Sequence, residues 1–331
     1  MEKLTLTHGD VSAEIWSKGA CVNDLRTPDR HGQIASIVVG YPDETARLAG
    51  SGYLGEMCGP FANRIAQGGY RIGQTVHTPA LNDSGSSTLH GGPNGWSTQD
   101  WQIVEADERQ ARLRLDWSDP DDSFPGPIHA EVAYRLDGGG LTHQIRVTSE
   151  AATVLSVVSH PYFNLSGTGA VIDDHELMVR ASRFLPIDAA CIPLEDAPWS
   201  VDGSSFDFRQ SRLIEDALAT DDPQVRDHGG IDHALILDDP HAGVVARLRH
   251  RGSGRQIEFL TNYPALQVYT GQYLDDSTIS HPVGAGTSRT GIALETEEYP
   301  NAPRRPDFPS CLVSPGEVYT RATTWRLSTF D

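Results

Sequence analysis

In three segments between residues 112 and 147 apolar and polar side chains alternate with a period of two, and this pattern constrains the fold more than any other feature of the chain. Leu113, Leu115 and Trp117 face one way while Arg112, Arg114 and Asp116 face the other, which predicts a half-buried strand. Val132, Tyr134 and Leu136 repeat the pattern. After Asp137-Gly138-Gly139-Gly140 it resumes at Leu141, His143, Ile145 and Val147, so a hairpin is expected. Residues 244–251 and 255–260, joined by Gly252-Ser253-Gly254, predict a second hairpin, because glycine supplies the positive φ of a tight turn. Only residues 210–219 read as a short helix. Turn signals recur roughly every 8–12 residues, which predicts a large antiparallel all-β sandwich over repeated βαβ units. The 32 glycines and 21 prolines in 331 residues agree with so many turns. With no composition shift, linker or internal repeat, one domain spanning 1–331 is expected.

Charge narrows the function. The chain carries 26 basic and 45 acidic residues, net −19, so its overall field opposes nucleic acid and anionic membrane surfaces as partners. Cys21, Cys58, Cys191 and Cys311 are far apart, with no CxxC pair or Cys/His cluster, which suggests neither a zinc site nor a disulfide framework. The N-terminal residues lack a signal-peptide pattern, and no run approaches ~18 consecutive apolar residues. A cytoplasmic location is expected. Lys3 and Lys18 are the only lysines and lie near the first strands, which leaves no candidate for a lysine Schiff base. No Walker segment points to a nucleotide.

Four segments break the alternation with polar residues beside Gly or Pro: Gly59-Pro60-Phe61-Ala62-Asn63-Arg64-Ile65, Leu89-His90-Gly91-Gly92, His160-Pro161-Tyr162-Phe163-Asn164-Leu165, and Leu294-Glu295-Thr296-Glu297-Glu298-Tyr299-Pro300-Asn301-Ala302-Pro303. In order and spacing they resemble the NRI, LHGG, HPYFNL and LETQ segments of the aldose 1-epimerase (galactose mutarotase) family. Asp232-His233 and Gln267-Val268-Tyr269-Thr270-Gly271 fall in the expected intervals, and the resemblance runs from about residue 10 to about residue 328. It implies a β-supersandwich fold, no metal or cofactor, and interconversion of the α and β anomers of a free aldose such as galactose or glucose.

The chemistry of the residues agrees. Anomer exchange needs a proton delivered to the ring oxygen and another removed from the C1 hydroxyl. His160 is the expected acid, since an imidazolium near pKa ~6.5 is poised to give its proton near neutral pH; the alternative is a hydrogen-bonded core histidine. Glu295 is the expected base, on a strand containing Gly291-Ile292-Ala293-Leu294; the alternative is a surface glutamate in the acidic run with Glu297 and Glu298. The resemblance implies that Asn63, Arg64, His90, Asp232 and Gln267 bind the sugar, whose buried hydroxyls each cost ~1–3 kcal/mol if left unpaired. Arg64 can donate to vicinal hydroxyls or to developing oxygen charge, or else serve a salt bridge. His90 reads as a second donor or a turn histidine, with Gly91 and Gly92 letting the backbone approach the ligand, and Gln267 as a ligand or a structural residue. Asp227, His228, Asp232 and His233 are the only sequence cluster that suggests a metal, and it lacks a further ligand. Trp96, Tyr162 and Phe163 are sugar platforms or core. His77, His129, His143, His175 and His281 have no motif support and read as structural or exposed.

The chain departs from the family pattern at Gly59-Pro60-Phe61, where Gly-Arg is usual, and at Glu297, Asn301 and Arg304, where Gln, Asp and Asn are usual. These changes are expected to alter the rim of the site and so its sugar specificity. Arg304-Arg305 also raises the alternative of a sugar-phosphate epimerase. A carbohydrate hydrolase or lyase, which usually needs two carboxylates, and a noncatalytic sugar-binding domain are the other readings. The expected partner is a monosaccharide, with the protein a monomer or homodimer.

Overall fold

The period-two segments form the long strands of a nine-stranded antiparallel sheet. Its spatial order is Gln102–Ala106, Gln110–Trp117, Ile128–Asp137, Gly140–Ser149, Tyr319–Thr329, Arg255–Thr261, Val244–His250, His175–Val179, Arg212–Leu213. This computed structural model describes residues 1–50, 52–274, 276–281 and 284–331, with 276–281 and 284–286 described by backbone alone, so the side chain of His281 lies outside the described residues. The first hairpin pairs from Ile128↔Ser149 to Asp137↔Gly140. Gly140 sits at φ +112, and a Cβ there would lie 2.0 Å from the Trp325 carbonyl oxygen, so the turn requires glycine. The second hairpin pairs Val244–His250 with Arg255–Thr261.

The expected helix over 210–219 is shorter, Ile214–Leu218, because Arg212–Leu213 is taken up as an edge strand against His175–Val179. Glu44–Ala49 and Pro223–Arg226 are also helical. Six and four residues are too few to show a 3.6-residue period. Each follows an aspartate cap, Asp43 accepting from Ala46 N and Asp222 from Gln224 N, which satisfies an otherwise orphaned first-turn donor. Among the described residues no helix is long and apolar enough to cross a membrane.

A second antiparallel sheet has seven strands: Trp199–Ser200, Ala181–Phe184, Asp232–Leu237, Ala265–Tyr269, Ile292–Glu297, Tyr162–Phe163 and Val38–Val39. It packs on the first sheet through aromatic and polar contacts. Phe163 meets Phe259 and Trp325 edge-on at centroid distances of 5.7 and 5.2 Å, and the Thr296 and Thr323 hydroxyls lie 2.6 Å apart. Asp232–Leu237 and Ile292–Glu297 are buried along their whole length. Strands covered on both faces need no polar alternation, which is why their pattern is weak in the sequence. Pairing puts Gln267 opposite Glu295 and Ala234 opposite Gln267. Asp232, two residues before Ala234, therefore shares a sheet face with Gln267 and Glu295.

Candidate active site

That face forms the floor of a cavity of about 470 Å3, whose lining includes Asn63, Arg64, His90, His160, Asp232, Gln267 and Glu295. The fold thus brings together all seven residues singled out in the sequence. Asp232, Gln267 and Glu295 come from three adjacent strands, His160 from the segment entering Tyr162–Phe163, and Asn63, Arg64 and His90 from the ends of the paired strands Arg64–Ala66 and Ser87–Leu89. Lys3 and Lys18 lie elsewhere, beside Glu44 and Asp100.

His160 Nε2 stands 3.3 Å from Glu295 Oε1, both side chains being almost fully buried. The His160 backbone is fixed on both sides, its N–H donating to Glu56 O and its carbonyl accepting from Gly55 N, each at 2.9 Å. Burial pushes the Glu295 carboxyl well above the usual carboxylate range; the charge of Asp232 adds to this and Arg64 opposes it. Burial also lowers His160 to about 4, and its Nδ1 is buried with no hydrogen-bond partner. The expectation of an imidazolium near its ordinary pKa is therefore corrected. One titratable proton belongs to the pair, and burial favours keeping it on the carboxyl.

Arg64 is held by carboxylates on two sides. Its Nε donates to Asp83 Oδ2 at 2.7 Å and its Nη1 lies 3.6 Å from Asp232 Oδ2, so the salt-bridge reading and the pocket-lining reading both hold for this residue. Gln267 Nε2 donates to Asp232 Oδ1 at 2.7 Å, while Gln267 Oε1 is buried without a partner. Asn63 and His90 bond reciprocally: His90 N donates to Asn63 O at 3.1 Å, and Asn63 N donates to His90 Nδ1 at 3.2 Å. Both have left-handed backbones, φ +60 and +52, as do Tyr53, Ser84 and Cys191 around the same cavity. Such angles are uncommon for residues with a Cβ and concentrate at functional sites.

The Asn63–His90 bond fixes a tautomer. An Nδ1 that accepts leaves the proton on Nε2, and burial with His160 and Arg64 nearby keeps the ring neutral by pushing its pKa far down. His90 is therefore a neutral Nε2–H donor. This bears on the metal question, because His90, His160 and Glu295 offer donor atoms within 4.8 Å of one another, the one such cluster among the described residues. A metal needs a bare ring nitrogen, and His90 could supply Nε2 only by giving up its bond from Asn63. The three residues do not fit a resident metal. The Asp227, His228, Asp232 and His233 set does not assemble either. Asp227 pairs with Arg226 at 2.8 Å, and His233 turns away from the cavity to Gln224 Oε1 at 2.9 Å. Activity is expected to survive exhaustive chelation; loss in EDTA restored by one divalent ion would overturn this reading.

Several expectations change. Trp96 and Phe163 are core residues, whereas Tyr162 lines the cavity. The lining also contains Tyr53, Asp83, Cys191, Tyr269 and Tyr273, none of which the motifs assigned. Gly91, at φ +85, leaves room for the Gly59 carbonyl, which would lie 2.1 Å from an added Cβ, so its close approach to backbone requires glycine. The departures from the family pattern do not sit on the rim. Glu297 is fully buried, Asn301 Oδ1 accepts from Ala66 N, and Arg304 donates to the carbonyls of Ala66 and Gln67. Arg304 and Arg305 border a separate cavity of about 670 Å3.

Comparison with known proteins agrees with this geometry. The chain is 33% identical over 333 residues to a protein of Bos taurus named galactose mutarotase, covering 99% of this chain and 94% of that one. It is 35% identical over 315 residues to the aldose 1-epimerase of Escherichia coli K12, covering 93% and 89%. Among solved structures, galactose 1-epimerase of Lactobacillus acidophilus superposes with TM-score 0.86 at 26% identity over 99% of this chain and 95% of that one. An aldose epimerase homologue of C. elegans, 22% identical, shares the fold with TM-score 0.91 over 100% and 99%. The family described as aldose 1-epimerase matches residues 2–326, and with this fold, this cavity and these relatives the chain belongs to the aldose 1-epimerase family.

Proposed function

We propose that the protein interconverts the α and β anomers of a free aldose, galactose or glucose, without a cofactor. The observation that carries this is the buried His160–Glu295 pair, 3.3 Å apart, at the floor of a cavity whose other polar groups suit hydroxyls. The ring oxygen of a sugar has no hydrogen and can only accept, so the group facing it must donate; His160 is that group. The C1 hydroxyl donates to Glu295 and stabilises its carboxylate, which moves the pair's proton to His160. His160 then protonates the ring oxygen as the C1–O5 bond breaks, and Glu295 takes the C1 hydroxyl proton as the aldehyde forms. Rotation about C1–C2 and the reverse transfers close the other anomer. His90 Nε2–H and Arg64 donate to the sugar oxygens, Asp232 and the free Gln267 Oε1 accept, and Asn63 contributes its amide.

The relatives' names, galactose mutarotase and aldose 1-epimerase, support this reading. The arrangement does not favour a glycosidase pair, because the carboxylates Asp83 and Asp232 are both committed to Arg64 and not placed as a second acid across a glycosidic bond from Glu295. Polarimetry on fresh α-D-glucose and α-D-galactose, with and without protein, tests the assignment, and unchanged rates for both would refute it.

The charge around the cavity points to an uncharged sugar, since Asp83, Asp232 and Glu295 face the single guanidinium of Arg64. Arg304 and Arg305 are occupied by carbonyls and by Asp307, outside this cavity. Neutralising both is expected to leave kcat/KM for free aldoses within about two- to threefold, the usual reach of ~0.5 kcal/mol. A salt-sensitive preference for glucose 6-phosphate over glucose would contradict this. We read residues 1–331 as one domain, active as a monomer or homodimer in a reducing cytoplasm; the four free cysteines support the last point, and size-exclusion chromatography tests the oligomeric state.

A further inference from the structure

Glu297 is 0% exposed, two residues beyond Glu295 on the strand Ile292–Glu297, so the two carboxyls share one strand face roughly 6–7 Å apart along the backbone. Its Oε1 accepts from Asn63 Nδ2 at 3.1 Å. Asn63 Oδ1 meanwhile accepts from Arg64 N at 2.8 Å, which fixes the orientation of the amide, and the Asn63 backbone holds His90. The remaining oxygens of the two glutamates, Glu295 Oε2 and Glu297 Oε2, are both buried without a partner. Two bare acceptors on adjacent side chains repel, whereas a proton on one turns it into a donor.

We propose that Glu297 is a positioning residue of the epimerisation: an uncharged carboxylic acid that orients Asn63 under the sugar and leaves the negative charge of this strand face to Glu295. The surroundings of Glu297 favour that state. Burial does most; Glu295 of its own strand, Glu298 just beyond the strand's end and Asp232 two strands away are all acidic and add to it, while the bond from Asn63 opposes them. Tyr263, preceding Ala265–Tyr269, lies near enough to feel its charge; its hydroxyl donates to Val157 O and burial holds the phenol far above its ordinary pKa. The nearby cations are committed elsewhere, Arg64 to Asp83 and Asp232, and Arg321 to Glu298.

The inference rests on the epimerase reading only for its kinetic arm, and a second arm needs no activity. A carboxyl whose proton affinity is raised by folding contributes stability that is present below its unfolded pKa and lost as pH rises toward its folded one. Glu297→Gln has no such dependence, so its Tm advantage over the wild type should widen as pH rises from about 5 to about 8. A gap that does not change with pH overturns the neutral acid. In the kinetic arm Glu297→Gln should keep the wild-type KM for the active aldose, while Glu297→Leu and Glu297→Asp, which remove or retract the acceptor, should each raise KM about tenfold or more. Wild-type KM in whichever of the two folds overturns the positioning role. Failure of the wild type itself to speed mutarotation would sink the epimerase reading but leave the Tm arm standing.

Discussion

Glu295→Gln is expected to lower the protein-catalysed rate of anomer exchange by about 10²–10⁴-fold, the usual contribution of a positioned proton transfer, with much less effect on sugar affinity. Gln keeps the size and the carbonyl oxygen facing His160 Nε2, now 3.3 Å away, but cannot take the C1 hydroxyl proton. His160→Ala should cost a similar factor by removing the donor to the ring oxygen. Because the two hold one titratable proton between them, they act as a unit, and the double variant should be scarcely slower than the worse single one. Polarimetry with the uncatalysed rate subtracted measures all three. A Glu295→Gln protein with wild-type turnover on any active sugar removes Glu295 from the mechanism, and fully multiplicative losses in the double variant argue against a shared proton.

The residues that the sequence made legible are those where a motif and a secondary-structure boundary coincide. Glu295 and Gln267 lie on strands whose register places them opposite each other, and His160 sits where the chain enters a short strand. The long hairpins were readable because one face of each meets solvent, so polarity alternates. The seven-stranded sheet was not readable in this way, since Ile292–Glu297 is buried along its length and its carboxylates mimic a surface run. Glu297 reads for that reason as a rim residue, whereas its side chain is fully buried beside the cavity floor, on the same strand face as Glu295. Asp83 left no local signal: it sits in a loop, and only the fold brings it 2.7 Å from Arg64. Tyr269, within Gln267–Gly271, reads in sequence like a core aromatic, and only the fold turns it into the cavity lining. The protonation of His160 depends on burial and on an unpartnered Nδ1, which follow from tertiary packing alone.

Arg64 and Asp232 should move the alkaline limb of kcat/KM in opposite directions. The free pair is competent only while it holds its one proton, and Arg64 lowers the proton affinity of Glu295 whereas Asp232 raises it. Removing the guanidinium in Arg64→Met therefore makes Glu295 harder to ionise and shifts the limb to higher pH. Asp232→Asn removes a negative charge, makes Glu295 easier to ionise and shifts it to lower pH. The rates separate the two further. Arg64→Met loses charge-assisted hydrogen bonds worth ~1.5–3 kcal/mol each, so a fall of about 10²-fold or more in kcat/KM at neutral pH is expected. It also strands Asp83 and Asp232, partly buried, without their cation, which costs stability of up to ~3–5 kcal/mol and should appear as a lowered Tm. Asp232→Asn keeps the acceptor for Gln267 Nε2, now at 2.7 Å, and should lose mainly affinity for the sugar hydroxyl it receives. Profiles of kcat/KM against pH for the three proteins decide the matter: limbs that move the same way, or not at all, would mean that Glu295 is not the group whose ionisation sets the rate.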